Sequence, residues 1–144
     1  MSPGLIKQVL VVDDNPINQR VIARLLTAKA VSVTTACNGY EAIGKLINLF
    51  KSNTPVDMVL MDLDMPFMDG IKATREIRKL NDGQTNRHPS SKLSKVTIIG
   101  TTGHVSKEKF ANSRLAGMDD CIGKPIAGKV LFDLIHRVQN RKLT

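Results

Sequence analysis

The chain is short of several residue types, and each shortage excludes something. Among 144 residues there is no tryptophan, one tyrosine and four phenylalanines, 3% aromatic in all, so little is available to stack on exposed bases. The two cysteines, Cys37 and Cys121, stand far apart and form no CxxC pair. Neither a disulfide framework nor a zinc site is suggested, and both are expected to be small buried apolar residues. No apolar run approaches the ~18 residues of a membrane span, and the opening MSPGLIKQ lacks the apolar segment of a secretory signal, so a cytoplasmic segment without membrane contact is expected.

What is present is the composition of an ordinary folded domain. Hydrophobic residues make up 42% and charged residues 24%, and the length suffices for one core without disulfide or metal staples. The formal net charge is +8, with much of the excess between Lys72 and Lys95. There Lys72, Arg75, Arg78, Lys79, Arg87, Lys92 and Lys95 are set against only Glu76 and Asp82. With so few aromatics this reads as a solvated basic face or a docking surface, not a dedicated nucleic-acid site.

Along the chain, short β-branched runs alternate with helical periods. QVLVVDD reads as a central strand that stops at acid, followed by Asp14-Asn15-Pro16 as a cap and by Ile17, Val21, Ile22, Leu25 and Leu26 at helical spacing. VSVTTA is a second strand, and Asn38 caps a helix with Tyr40, Ile43, Leu46, Ile47 and Phe50 on one face. VDMVLMD is a third strand, and Ile71, Thr74 and Ile77 carry a helix beginning after Gly70. The segment from Asn81 to Ser94 has no apolar period and reads as a long surface loop. VTIIGTTG, a helix over VSKEKFANSRLAG ended by Gly117, DDCIGKP, and a last helix carrying Val130, Leu131, Leu134, Ile135 and Val138 complete the series. Five strand-helix units in succession predict one parallel sheet with helices on both faces.

In such a sheet, ligands bind beyond the carboxyl ends of the strands. The first strand ends in Asp13-Asp14, the third in Asp62, the fourth in Thr101-Thr102 and the fifth in Lys124-Pro125. Taken singly, an acid pair is a turn and helix cap, TT is strand-end filler and KP is a turn. Together they place carboxylates, a hydroxyl and an ammonium on one edge. The carboxylates would repel one another unless a cation sat among them, and an all-oxygen set without His or Cys suits a hard divalent cation such as Mg2+ better than zinc. A carboxylate fixed at a strand end is also a nucleophile toward phosphorus, with metal and lysine neutralising the phosphoryl oxygens. Asp62 is the candidate nucleophile, Asp13 and Asp14 the candidate metal ligands, Lys124 a point charge and Thr102 a hydroxyl donor.

The stretches VLVVDDNPINQRV, VLMDLDMPFMDGIKATREIR, IIGTTGH and GMDDCIGKPI resemble, in order and spacing, the motif blocks of the receiver domain, the phosphoacceptor module of two-component response regulators and hybrid histidine kinases. The resemblance covers Gln8 to Asn140 and implies an α/β fold, a flavodoxin-like (βα)5 three-layer sandwich with strand order 2-1-3-4-5. It divides the chain into an extension at residues 1–7, the receiver at 8–140 and a tail at 141–144. Carried over, Asp62 matches the phosphoacceptor. Asp13 and Asp14 match the acidic pair that holds Mg2+, which Mn2+ can replace, with Asp62 itself and the backbone carbonyl of Asp64 as further ligands. Thr102 matches the switch hydroxyl, and Lys124, before a cis Pro125, the lysine that meets the phosphoryl group. Asp64 and His104 match positions that influence the lifetime of the acyl phosphate. The partners implied are a histidine kinase or a histidine phosphotransfer protein.

One position departs from the pattern. Three residues before the lysine the family usually carries an aromatic that changes rotamer with the threonine, and here it is Cys121. Phosphate chemistry does not need the ring, whereas transmission to the surface does. The style of the blocks resembles receivers of hybrid kinases more than stand-alone regulators. Alternatives are a stand-alone regulator, a phosphate-independent pseudo-receiver, and a haloacid-dehalogenase-type phosphatase using Asp62 and Asp64 as its DxD pair. The last places its DxD on the first strand, unlike the order here.

Overall fold

The structure, a computed structural model, describes residues 5–80 and 93–140. In chain order the elements are β1 (Gln8–Val12), α1 (Pro16–Thr27), β2 (Ser32–Ala36), α2 (Gly39–Lys51), β3 (Met58–Asp62), α3 (Gly70–Lys79), β4 (Thr97–Thr102), α4 (Lys107–Ala116), β5 (Asp120–Gly123) and α5 (Gly128–Gln139). All four strand pairings are parallel, and the sheet order is β2-β1-β3-β4-β5. This is the order that the receiver resemblance implies.

The strand side chains alternate between two cores, as a pleat with period two requires. On one face Leu10, Val12, Val59, Met61 and Ile98 pack with Ala42 and Leu46 of α2 and Ala73 and Ile77 of α3. On the other, Val9, Val11, Met58, Leu60 and Ile99 pack with Ile22 and Leu26 of α1 and Leu131, Leu134, Ile135 and Val138 of α5. Every residue of β3, the middle strand, is buried, which is why that run is apolar throughout until Asp62. No helix among the described residues is long and apolar enough to cross a membrane.

Local capping explains where the helices start. Asn15 caps α1, accepting from the backbone N–H groups of Ile17 and Asn18, and Pro16 takes the first helical position. Asn38 caps α2, Asp69 caps α3 and Ser106 caps α4. Gly117 ends α4 with φ of 113°, a left-handed turn that favours glycine.

Several expectations need correction. Ile17, Val21, Tyr40 and Val130 lie off the core side of their helices; Tyr40 is 61% exposed, whereas Ala42, not expected in the stripe, is fully buried. Each helix meets the sheet through a stripe narrower than its apolar residues, and small side chains take the closest approach. Cys37 is exposed, not buried. The loop over Asn81 to Ser94 falls mostly outside the described residues, with Arg87 and Lys92, but Leu93 and Ser94 are buried. Arg78 is not part of a solvated basic face. Its half-buried guanidinium donates to the carbonyls of Gly117 (2.9 and 2.7 Å), Ser94 (2.8 Å) and Val96 (2.6 Å) and pairs with Asp119 at 3.2 Å. It ties α3 to the start of β4 and to the α4–β5 turn.

Candidate functional site

The site forms because β1 and β3 are neighbours whose apolar runs end at the same level. Val12 pairs with Met61, so Asp13 and Asp62 follow side by side at the carboxyl edge. Both are almost fully buried, at 2% and 1% exposure, while Asp14 is exposed. Asp13, Asp14 and Asp62 each offer a carboxylate oxygen, and these oxygens lie within 4.8 Å of one another. Three oxygen anions at that spacing suit a hard divalent cation, and among the described residues no nitrogen or sulfur ligand joins the cluster.

Lys124 reaches this edge from the end of β5. Its ammonium lies 3.0 Å from Asp62 Oδ2 and 3.2 Å from Asp13 Oδ2. Its backbone N–H donates to the carbonyl of Thr102 at 2.7 Å, and the Lys124–Pro125 peptide is cis. The other oxygen of each carboxylate also accepts a hydrogen bond. Asp64 N–H donates to Asp62 Oδ1 at 3.1 Å, and Asn15 N–H to Asp13 Oδ1 at 2.9 Å. Gln19 Nε2 donates to the Asp13 carbonyl at 2.7 Å and to that of Ala36 at 3.0 Å, fixing the turn after β1.

Burial pushes the Asp62 carboxyl above the ordinary carboxylate range, and the Asp13 charge adds to this, against the opposing pull of Lys124 and the Asp64 N–H. Burial alone would pull the Lys124 ammonium down, but the hydrogen bonds and charges of Asp62 and Asp13 outweigh it, so its affinity for the proton rises. One ammonium therefore does not fully compensate two buried carboxylates, and the pocket retains an appetite for positive charge.

Thr102 ends β4, fully buried. Its hydroxyl donates to the carbonyl of His104 at 3.3 Å and accepts from His104 N–H at 3.2 Å. His104 itself is exposed and meets Thr102 through its backbone. Cys121 sits on β5 opposite Gly100 of β4 and is half-buried against the α2–α3 core. Burial pushes its thiol up, Ser113 offering a partly offsetting hydrogen bond, so it remains protonated at neutral pH.

Two contributors were not anticipated. Gln19 shapes the turn after β1. Lys109, in the first turn of α4, sends its ammonium to 3.2 Å from Asp64 Oδ2 and 3.3 Å from Thr102 Oγ1. Its signal in the sequence was a cation at the start of a helix, where the dipole disfavours positive charge unless an anion lies near.

A parallel α/β sheet with buried acids, a lysine and a hydroxyl converging at its carboxyl edge defines a class of phosphoryl-handling module. Comparison with known proteins gives the family: residues 9–136 match the model of the response regulator receiver domain, and the chain belongs to that family. It is 35% identical over 133 residues to hybrid signal transduction histidine kinase L of Dictyostelium discoideum, covering 92% of this chain and 7% of that protein. It is 35% identical over 123 residues to sensor histidine kinase RcsC of Salmonella typhimurium, covering 85% and 11%. The chain thus spans about a tenth of the length of these relatives.

Among solved structures, chemotaxis protein CheY4 of Vibrio cholerae superposes with a TM-score of 0.75 at 24% identity, over 92% of this chain and 98% of that one. A chain in the co-crystal structure of the Saccharomyces cerevisiae histidine phosphotransfer signaling protein Ypd1 and the receiver domain of its downstream response regulator Ssk1 superposes with a TM-score of 0.78 at 26% identity. That match covers 100% of this chain and 94% of the other.

Proposed function

We propose that this receiver, residues 8–140 between flanking segments 1–7 and 141–144, accepts a phosphoryl group on Asp62 from a phosphohistidine and changes conformation in response. The observation that carries the reading is the buried Asp62 carboxylate, with Lys124 at 3.0 Å and the carboxylates of Asp13 and Asp14 around it. In the transfer, an Asp62 carboxylate oxygen forms a bond to phosphorus as the bond from phosphorus to the donor's imidazole nitrogen breaks, its electron pair leaving on that nitrogen. Lys124 meets the charge that spreads over the phosphoryl oxygens, and the Thr102 hydroxyl turns to donate to one of them.

Asp13, Asp14, Asp62 and the Asp64 backbone carbonyl are the groups that would hold Mg2+ or Mn2+. The bound ion supplies charge neutralisation at the phosphoryl oxygens. Asp64 and His104 border the approach to phosphorus and set how long the acyl phosphate survives.

A hybrid signal transduction histidine kinase and a sensor histidine kinase among the relatives support a parent chain of the histidine-kinase kind, which on this reading acts in the cytoplasm. The Ypd1 co-crystal structure supports a histidine phosphotransfer protein as donor or acceptor. Exposed Ile17 and Val21, beside a cleft lined by Asp13, Lys124 and Pro125, offer such a partner an apolar footing next to the acid pocket.

Incubation with acetyl phosphate and Mg2+ is expected to add the mass of one phosphoryl group, and Asp62→Asn to abolish the addition, read by intact-mass spectrometry. If neither Mg2+-dependent modification nor beryllofluoride binding occurs, the reading fails.

A further inference from the structure

Lys109 has no part in the transfer as described, yet its ammonium lies at the centre of the switch. It occupies the first turn of α4, where Ser106 Oγ accepts from Lys109 N–H at 3.1 Å. That end of a helix repels cations, so the side chain is held there by what it meets. It meets the Asp64 carboxylate at 3.2 Å and the Thr102 hydroxyl oxygen at 3.3 Å. The Lys109 side chain is 33% exposed and that of Asp64 65%, so this ion pair is largely solvated and weak.

Thr102 has a single hydroxyl hydrogen, at present directed to the His104 carbonyl. To reach a phosphoryl oxygen the hydroxyl must turn, and it then leaves the lone-pair contact with Lys109. A phosphoryl group brings roughly −1.5 to −2 charges to the pocket. Asp64 offers a single, exposed negative charge, so the ammonium gains by leaving it for the new anion.

Resting on the reading of Asp62 as phosphoacceptor, we propose that Lys109 is a second cation of the phosphoryl site. It exchanges Asp64 for a phosphoryl oxygen when Asp62 is modified, and thereby carries the state of the site into α4. Lys124 follows β5 and Thr102 ends β4, whereas Lys109 is carried by α4. At Cys121, opposite Gly100, a thiol stands where the receiver pattern usually has the aromatic that moves with the threonine. Among the described residues, Lys109 joins the hydroxyl to α4 directly.

The test is a beryllofluoride titration of the whole chain at saturating Mg2+, followed by amide NMR, on wild type, Lys109→Met, Lys109→Arg and Asp64→Asn. Lys109→Met is expected to weaken beryllofluoride binding by about tenfold, the size of one charge-assisted hydrogen bond. Mg2+ affinity should stay within about twofold, because the ammonium does not meet the metal ligands' shared pocket. The shifts that beryllofluoride induces over residues 106–110 should vanish, while those of Asp13, Asp62 and Lys124 persist. Lys109→Arg restores both responses. Asp64→Asn tightens beryllofluoride binding, since the competing anion is gone.

Wild-type affinity in Lys109→Met with the α4 shifts intact would reduce Lys109 to a surface ion pair and overturn the proposal. Methionine keeps the aliphatic stem, and unchanged core amide shifts report that the variant folds. Should it not fold, Asp64→Asn decides, and unchanged or weaker binding there also overturns the proposal. If wild type itself takes no beryllofluoride, the phosphoacceptor reading falls first, a result distinct from an insensitive Lys109→Met.

Discussion

Lys124 faces two buried carboxylates, and its removal separates two roles that a static picture merges. In Lys124→Ala, Asp62 and Asp13 lose the ammonium at 3.0 and 3.2 Å and repel each other unopposed, so a divalent cation is bound no more weakly than before. The phosphoryl group, by contrast, loses its counter-charge. The expected outcome is phosphorylation by acetyl phosphate slowed by about tenfold or more, with Mg2+ affinity unchanged or tighter, measured by intact mass and by Mg2+ titration. Parallel loss of both would place Lys124 among the groups that organise the metal instead. The places of Asp13, Asp62, Thr102 and Lys124 at one sheet edge were legible in the sequence because each ends or directly follows a strand, where the backbone itself fixes the side chain at the edge. Lys109 and Gln19 were not, because they reach the site from helices, and a helical residue's reach depends on how the helix is docked.

At the scale of the element, the strand-to-helix turn after β3 is the tightest part of the site. A Cβ at Gly70 would fall on the Asp62 carbonyl, inside any permitted contact, and would also crowd Met61. The backbone cannot yield there without moving the end of β3, since Gly70 N–H donates to the Leu63 carbonyl at 3.1 Å and Leu63 N–H to that of Thr101 at 2.9 Å. Gly70→Ala is therefore expected to cut phosphorylation of Asp62 severely although Gly70 presents no polar side chain, because a displacement of ~1 Å at reacting groups costs about 100-fold. Initial rates of mass addition would measure it, and wild-type rates would mean that the loop can shift as a unit. The same turn shows how unevenly elements can be read. Asp69 is the cap of α3, accepting from the Lys72 N–H, a local matter of one side chain and one backbone N–H. The helical faces of α1 and α2 were only partly legible. Ile17, Val21 and Tyr40 fit the 3.6-residue period but lie exposed, since periodicity defines a stripe and not which edge of it meets the sheet.

For the whole molecule, the acid pocket weighs against stability. Burial raises the Asp62 carboxyl above its ordinary range, so the unfolded chain ionises it more readily than the folded one. As pH rises through the folded value, ionisation costs the native state, and below the ordinary carboxylate range both states hold the proton and the penalty is gone. Asp62→Asn should accordingly melt a few degrees higher than wild type in metal-free buffer at pH 7, with the advantage narrowing as pH falls toward the carboxylate range. Thermal unfolding across pH checks the sign, and an advantage independent of pH would exclude the charge as its source. The sequence by itself determined the five strand-helix units, the parallel class and the acids, hydroxyl and lysine at the strand ends, because β-branched runs, caps and chain punctuation act over a few neighbouring residues. Tertiary structure alone decided that Val12 lies level with Met61, that Lys124 meets Asp13 across 111 residues of chain and Asp62 as well, that Arg78 is a half-buried tie and not a solvated surface charge, and that Lys109 of α4 touches Thr102. Those contacts join residues remote in sequence, and only the packing of helices against a twisted sheet brings them within hydrogen-bonding distance.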